Sequence, residues 1–177
     1  TEGSPYLDLS GGYDAYRRAL EKGHREGIAQ TQRKRRKLER ETGEVRFEID
    51  CRDPAVLDQL LVWKSAQYRR TGLTDVFAFD WTVQLIHTIW GAHDPGFAGL
   101  LSAVFAGDRL IAAHFGMRSH GVLHYWFPAY DPALGKYSPG NLLLDELARA
   151  GATQGWSAIH LGDGHRQLSP TQLVVHA

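Results

Sequence analysis

The sequence contains very little sulfur: one cysteine, Cys51, and one methionine among 177 residues. A single cysteine excludes an internal disulfide framework and any metal site built from several thiolates. It is typical of proteins kept in a reducing compartment, so we expect a cytoplasmic location.

Long hydrophobic runs are also missing from the sequence. No segment approaches the roughly 18 apolar residues that a membrane-spanning helix requires. The polar start TEGSPYLDL lacks the basic and apolar regions of a signal peptide. Internal repeats and linker-like tracts are absent too, so we expect a single domain over 1–177.

An excess of one charge is the third absence. Twenty basic and twenty acidic side chains cancel, so nothing global points to a nucleic-acid or membrane partner. Locally, the run RKRRK at 33–37 is compatible with binding a polyanion. Glu39 and Glu41 lie close by and no aromatic residues interleave, which favours a solvated helix face.

What remains is the composition of a soluble globular domain, 43% hydrophobic and 23% charged, with clear helix signals. Asp53 and Asp80 fit N-caps, whereas Gly43 and Gly155 fit helix ends. The predicted helices span 11–42, which is long and basic, 54–71, 81–90 and 139–154.

Strand signals lie between these helices. The segment 44–50 alternates apolar and polar residues, and three further runs from 98 onward are joined by two-residue turns at Gly107–Asp108 and His120–Gly121. A last strand follows in SAIHLG. Both faces of the meander strands carry apolar residues, which predicts an α/β (α+β) fold whose sheet is covered on both faces.

The junction KYSPGN connects the meander to the last helix. Ser138 fits an N-cap and Pro139 fits the first helical position. The N–H groups of Gly140–Leu142 would then be free to bind an anion, with Lys136 adding a charge. Neither a Walker motif nor G-x-G-x-x-G is present, so a plain cap and an anion site both remain open.

The order of elements resembles the core of the GNAT acetyltransferase superfamily, in which the helix after the fourth strand binds the pyrophosphate of acyl-coenzyme A. The stretch from Gly107 to Gly164 is similar to the GNAT-like domain of CelD/BcsL-type proteins, linked to cellulose and exopolysaccharide synthesis, and more distantly to FemAB-type aminoacyltransferases. The likeness covers about 4–164. It implies a mixed, mostly antiparallel sheet with helices on both faces, and a cofactor-binding core over 98–164.

The resemblance also implies where an acyl-coenzyme A donor would bind. The implied diphosphate residues are Lys136, Tyr137, Ser138, Pro139, Gly140 and Asn141. The implied pantetheine residues, at the end of the preceding strand, are Phe127, Pro128 and Ala129. The implied reaction is acyl transfer to an amine or hydroxyl acceptor, in polysaccharide or envelope synthesis.

Four residues at strand ends are candidate catalytic groups, because acyl transfer needs a proton acceptor and a polarised carbonyl. They are His124, Tyr130, Asp131 and Asp163. Each has a structural alternative: His124 suits a hydrogen-bonded sheet residue, Tyr130 and Asp131 suit a turn before proline, and Asp163 suits the turn GDG.

We predict no metal site, since the nine histidines lack any tight ligand spacing. A two-residue hairpin would also put His114 and His124 on opposite faces of the sheet.

The tail 165–177 is unlike the continuation in the similar proteins, which also carry another domain before this region. The chain is therefore interpreted as truncated, or as a fragment of a two-domain protein. An incomplete sheet would expose an edge, which predicts self-association. Two other functions stay open: a non-catalytic domain that binds a protein or polyanion through the basic helix, and a FemAB-type transferase that uses aminoacyl-tRNA.

Overall fold

A computed structural model describes residues 5–162 as a sheet with helices on both faces. The helices are α1 (Tyr13–Thr42), α2 (Pro54–Arg70), α3 (Asp80–Trp90) and α4 (Pro139–Thr153). The strands are β1 (Tyr6–Asp8), β2 (Val45–Glu48), β3 (His93–Asp94), β4 (Phe97–Ala106), β5 (Arg109–Ser119), β6 (Val122–Tyr130) and β7 (Ala158–His160). Short 3-10 helices occupy Val76–Ala78 and Pro132–Tyr137.

The sheet is mixed and mostly antiparallel, as predicted. Its strand order is β1-β7-β6-β5-β4-β2, with β3 added at the start of β4. The β6–β7 pair is parallel because α4 crosses over between the two strands, and the other pairs are antiparallel. The fold class inferred from the sequence is therefore confirmed.

Both predicted hairpins are confirmed. Two residues separate β4 from β5 and β5 from β6. In the second turn His120 and Gly121 both have positive φ, 48° and 77°, which matches the twist of the flanking strands.

The sheet separates two hydrophobic cores. On one face, α1 and α4 pack against strand residues such as Val104, Ile111 and Leu123. On the other, α2 and α3 pack against Leu101, Phe115 and their neighbours. Burial on both faces explains why both parities of the meander strands are apolar.

The cap of helix α3 and two strands differ from the predictions. Phe79 occupies the N-cap position of α3, and Asp80 lies in the first turn, where its charge suits the helix dipole. Strands β1 and β3 were not predicted, because three and two residues are too few to show a period. Asp53 does cap α2, since its side chain accepts a hydrogen bond from the Ala55 N–H at 2.9 Å.

Within residues 5–162 no helix is both long enough and apolar enough to cross a bilayer.

Candidate active site

Strands β6 and β7 pair over only three residues and then part. Their register runs from Val122↔Ala158 to His124↔His160, and β6 continues to Tyr130. Within the described part of the chain, the side of β6 that faces away from β5 thus has no partner strand over 126–130, a segment that we call the free edge of β6. Unpaired backbone groups at such an edge can bind an extended ligand.

A β-bulge lies at the start of the free edge. Phe115 pairs with Phe127 and Gly116 pairs with Tyr125, so Trp126 has no partner residue in β5. Bulges of this kind bend a strand and redirect its side chains, and they are frequent near active sites.

The three residues implied to follow the pantetheine arm lie along this edge. The ring of Phe127 packs edge-on against Phe77, with centroids 5.1 Å apart, and Ala129 is buried. Pro128 has no N–H to donate to a neighbouring strand, which suits an edge position. Its carbonyl oxygen accepts a hydrogen bond from Lys64 Nζ at 3.1 Å.

Lys64 is a buried amine that sequence reasoning did not select as a functional residue. It lies on α2, 8% exposed, and Nζ also donates to Gln67 Oε1 at 3.1 Å. Burial lowers the pKa of Lys64 to about 8, because desolvation disfavours the ammonium. The available signal was its position four residues after Leu60 and seven after Leu57, on the buried stripe of the helix.

The start of α4 differs from the predicted cap. Ser138 precedes Pro139, but it adopts the left-handed conformation, with φ 53° and ψ 56°, and makes no side-chain capping bond. A capping serine normally has extended backbone, which aims its oxygen at the first-turn N–H groups. Here Ser138 Oγ accepts a hydrogen bond from Lys34 Nζ at 2.6 Å instead.

The predicted set of three free N–H groups is reduced to one. The N–H groups of Asn141 and Leu142 both donate to the Ser138 carbonyl, at 3.1 and 3.3 Å. The Gly140 N–H makes no hydrogen bond within residues 5–162. A β-carbon at Gly140 would lie 3.9 Å from the Tyr130 ring, so Tyr130 lies over the helix start.

Tyr137 and Lys136 face helix α1. The Tyr137 hydroxyl donates to Glu41, and Lys136 Nζ lies 3.7 Å from Glu41 Oε2. The Tyr137 hydrogen bond, followed by Lys37 and Lys136, lowers the pKa of the Glu41 carboxyl. These contacts tie the end of α1 to the junction.

The basic run on α1 is only partly the solvated face that the sequence favoured. Arg33 and Arg36 are exposed, and Lys37 lies 3.9 Å from Glu41 as expected. Arg35 instead forms an ion pair with Glu146, a largely buried carboxylate of α4. Lys34 therefore contacts the residue before α4, and Arg35 contacts the middle of that helix.

The candidate catalytic residues occupy different surroundings. His124 lies beside His160, with ring centroids 5.7 Å apart, where β6 and β7 separate. Burial, and then the neighbouring His160, lowers the pKa of His124. Tyr130 is 42% exposed at the end of the free edge.

Asp131 has structural contacts. Its carboxylate caps the following 3-10 helix by accepting the Ala133 N–H at 2.9 Å, and it pairs with Arg109 at 2.6 Å. Asp163 lies outside the described residues.

His114 and His124 lie apart from each other, as the hairpin predicted. His114 stacks on Tyr125, with centroids 4.3 Å apart, and His124, the next residue along β6, is on the opposite face. Among residues 5–162, no group of three or more histidine, cysteine or acidic side chains is placed to hold a metal ion.

Comparison with solved structures finds folds similar to that of this chain. A conserved protein of unknown function from Bacteroides thetaiotaomicron matches with TM-score 0.57 and 11% identity, over 90% of this chain and 49% of that one. The C-terminal domain of a protein assigned as a lysylphosphatidylglycerol synthetase, from Agrobacterium fabrum, matches with TM-score 0.54 and 12% identity, over 90% and 45%. The chain thus spans about half the length of these two structures.

A third structure, an acetyltransferase from Bacillus subtilis solved with coenzyme A, has TM-score 0.43 and 15% identity, over 64% of this chain and 61% of that one. No curated protein sequence matches the chain. A family model described as an acetyltransferase (GNAT) domain matches residues 22–168. Because this match covers most of the sequence, the chain belongs to the GNAT acetyltransferase domain family.

Proposed function

We propose that this chain transfers an acyl group from acyl-coenzyme A to an amine or hydroxyl acceptor. The observation that carries the proposal is that the free edge of β6, which begins where β6 parts from β7, ends at Tyr130 beside the Pro139–Gly140 helix start, in a chain of the GNAT family. One extended ligand could then contact both a strand edge and a helix N-terminus.

The diphosphate would bind at the start of α4. Gly140 offers a main-chain N–H without a side chain to obstruct it, and the helix dipole favours negative charge there. Lys34, held 2.6 Å from Ser138 Oγ, and Lys136, 3.7 Å from Glu41, would add positive charge near the helix start. The buried Tyr137 donates a hydrogen bond to Glu41 and so holds the junction against α1.

The pantetheine arm would follow the free edge of β6. Its two amide groups can pair with an unpartnered strand as another strand would. Phe127, Pro128 and Ala129 supply the backbone, and the bulge at Trp126 interrupts regular pairing next to them. The thioester would then lie along this edge, between Pro128 and the point where His124 meets His160.

The catalytic roles are part of the proposal. Acyl transfer needs the thioester held beside the nucleophile, its carbonyl polarised and one proton removed. His124 and Tyr130 are accessible candidates for these roles. Asp131, engaged by Arg109 and Ala133, is the weaker one.

We propose a CelD/BcsL-type relationship, with an acceptor from polysaccharide or envelope synthesis, on the sequence likeness. A FemAB-type reaction with aminoacyl-tRNA is the alternative within acyl transfer, and one similar fold belongs to a protein assigned as a lysylphosphatidylglycerol synthetase.

Self-association through a sheet edge stays a prediction, and sedimentation at micromolar concentration tests it.

Calorimetric titration tests the donor. We expect acetyl-coenzyme A to bind with a dissociation constant in the micromolar range, on the order of −8 kcal/mol. N-acetylcysteamine thioesters, which lack the diphosphate, should bind far more weakly because the helix start would have no anion to hold. Absence of heat and of a thermal shift with acetyl-coenzyme A and longer acyl donors would refute the proposed donor.

Two lysines of one basic run provide a matched pair of variants. Lys34→Gln should weaken acetyl-coenzyme A binding about 3- to 10-fold, because Lys34 contacts the KYSPGN junction. The loss should not be larger, since solvent partly screens the charge of Lys34. Lys37→Gln should change affinity less than about twofold, since Lys37 pairs with Glu41 on the exposed side of α1. Calorimetry in 50 mM salt measures both.

The same two variants separate acyl transfer from the interaction-domain alternative. A polyanion bound along α1 would lose affinity with either substitution, and with rising salt. Equal loss of heparin binding in both variants, together with unchanged acetyl-coenzyme A binding, would favour the interaction domain.

A further inference from the structure

Lys64 places an amine beside the free edge of β6, on the face opposite α4. Its Nζ donates to the Pro128 carbonyl, and Pro128 is one of the residues along which the pantetheine arm is proposed to lie. Helix α2, which carries Lys64, packs on β5 and β6. An acceptor approaching from the α2 side would therefore meet this amine next to the thioester.

A neutral amine can make both hydrogen bonds that Lys64 donates. A neutral lysine has two N–H donors and one lone pair, whereas an ammonium has three donors and no acceptor. Two acceptors contact Nζ, Pro128 O and Gln67 Oε1, both at 3.1 Å. The Tyr68 ring lies alongside, with its centroid 5.4 Å from Nζ. Two donated bonds leave the lone pair of a neutral amine available to take a proton.

The charged groups on the elements packed against α2 do not pair with Lys64. Asp75, after the helix, accepts from Ser65 and lies 3.6 Å from Arg69 Nη1. Asp131, at the end of β6, pairs with Arg109 of β5. Within residues 5–162 Lys64 forms no ion pair, so no carboxylate holds it in the charged form.

The remaining titratable groups on this side are His124 of β6, which faces His160, and Tyr68 of α2. Burial, with Asp75 contributing, raises the pKa of Tyr68, so its phenol is neutral wherever Lys64 titrates. Burial accounts for the lowered pKa of the Lys64 amine described above.

We propose that Lys64 is a catalytic residue that accepts the proton of the amine or hydroxyl attacking the thioester. The nucleophile forms a bond to the carbonyl carbon while its proton passes to Lys64 Nζ. The carbon–sulfur bond then breaks, and coenzyme A leaves as a thiolate with the electron pair. The Lys64 ammonium returns its proton to that thiolate, so the amine is neutral again for the next turnover. This role rests on the proposed acyl-coenzyme A reaction.

Carbon-13 NMR of the lysine Cε positions tests the assignment in the intact chain. Lys64→Arg identifies the signal by its disappearance. We expect that signal to titrate with a midpoint at least one pH unit below those of the other lysines, and to shift when acetyl-coenzyme A is added. Calorimetry on the same sample reports donor binding separately.

The outcomes separate the two proposals. If acetyl-coenzyme A binds but the Lys64 signal titrates with the other lysines, or does not respond to the donor, the catalytic role is wrong and the donor proposal stands. If the donor does not bind, the proposed reaction fails, and the role of Lys64 fails with it.

The pH dependence of the reaction rate distinguishes a catalytic role of Lys64 from a structural one. With acetyl-coenzyme A and ethanolamine as probes, thiol release should rise with pH to a plateau in the wild-type protein. Lys64→Gln should lose about 100-fold in kcat/KM together with that rise. Lys64→Arg should lose the rise as well, because a guanidinium stays protonated throughout the accessible pH range. A slower variant that keeps the wild-type pH profile would make Lys64 a structural residue and overturn the proposal.

Discussion

Gly140→Val is expected to lower the affinity for acetyl-coenzyme A by about 100-fold or more, equivalent to about 2.7 kcal/mol. The physical reason is close approach: a diphosphate reaching the Gly140 N–H would collide with branched γ-carbons at the first turn of α4. Calorimetric titration measures the loss.

Stability should hardly change in this variant. A β-carbon at Gly140 would lie 3.9 Å from Tyr130 Cδ1, an ordinary van der Waals distance, and Gly140 has a helical backbone rather than a positive φ. Valine also has a higher helix propensity than glycine. The free energy of unfolding should therefore stay within about 1 kcal/mol of wild type.

Gly135→Val is the matched control for Gly140→Val. A β-carbon at Gly135 would also lie 3.9 Å from the Tyr130 ring, yet Gly135 belongs to the 3-10 helix before the junction. We expect this variant to keep acetyl-coenzyme A binding within about threefold of wild type. Equal affinity in both variants and the wild type would leave the KYSPGN junction as only a helix start.

Phe115→Ala should cost about 3–5 kcal/mol of unfolding free energy. Phe115 is fully buried in the core between the sheet and α2, and it is the register partner of Phe127 on β6. Truncation would remove the ring and leave a cavity. The strands around it cannot move in to fill the cavity, because their hydrogen-bonded pairing fixes the spacing between them. Urea unfolding followed by circular dichroism measures the change.

Phe97→Ala is the control of the same residue type in the same sheet. Phe97 begins β4 and is 37% exposed, so its truncation should cost less than about 1 kcal/mol. Similar losses from the two substitutions would mean that the core on the α2 face is not the rigid support that the structure indicates.

The features predicted correctly were those fixed by neighbours in sequence. The hairpins at Gly107–Asp108 and His120–Gly121, the Asp53 cap and the start of α4 at Pro139 each depend on a few adjacent residues. Their preferences for a backbone angle or a local hydrogen bond are already expressed in a short peptide.

The errors arose where distant elements meet. Ser138 fits a cap by sequence, but Lys34, 104 positions earlier, takes its hydroxyl, and its backbone is left-handed. The basic run was expected to be solvated, yet Arg35 pairs with Glu146 on α4. Neither contact leaves a periodic signal, since each depends on how α1 crosses α4.

By itself, the sequence determined the order of helices and strands, the two buried faces of the sheet, and the resemblance that names the GNAT family. Only the tertiary structure decided where β6 parts from β7 and which amine lies beside that edge. The physical reason is that Lys64 and Pro128 lie 64 residues apart, and a lone lysine on an apolar helix stripe meets its partner only after α2 has packed on the sheet.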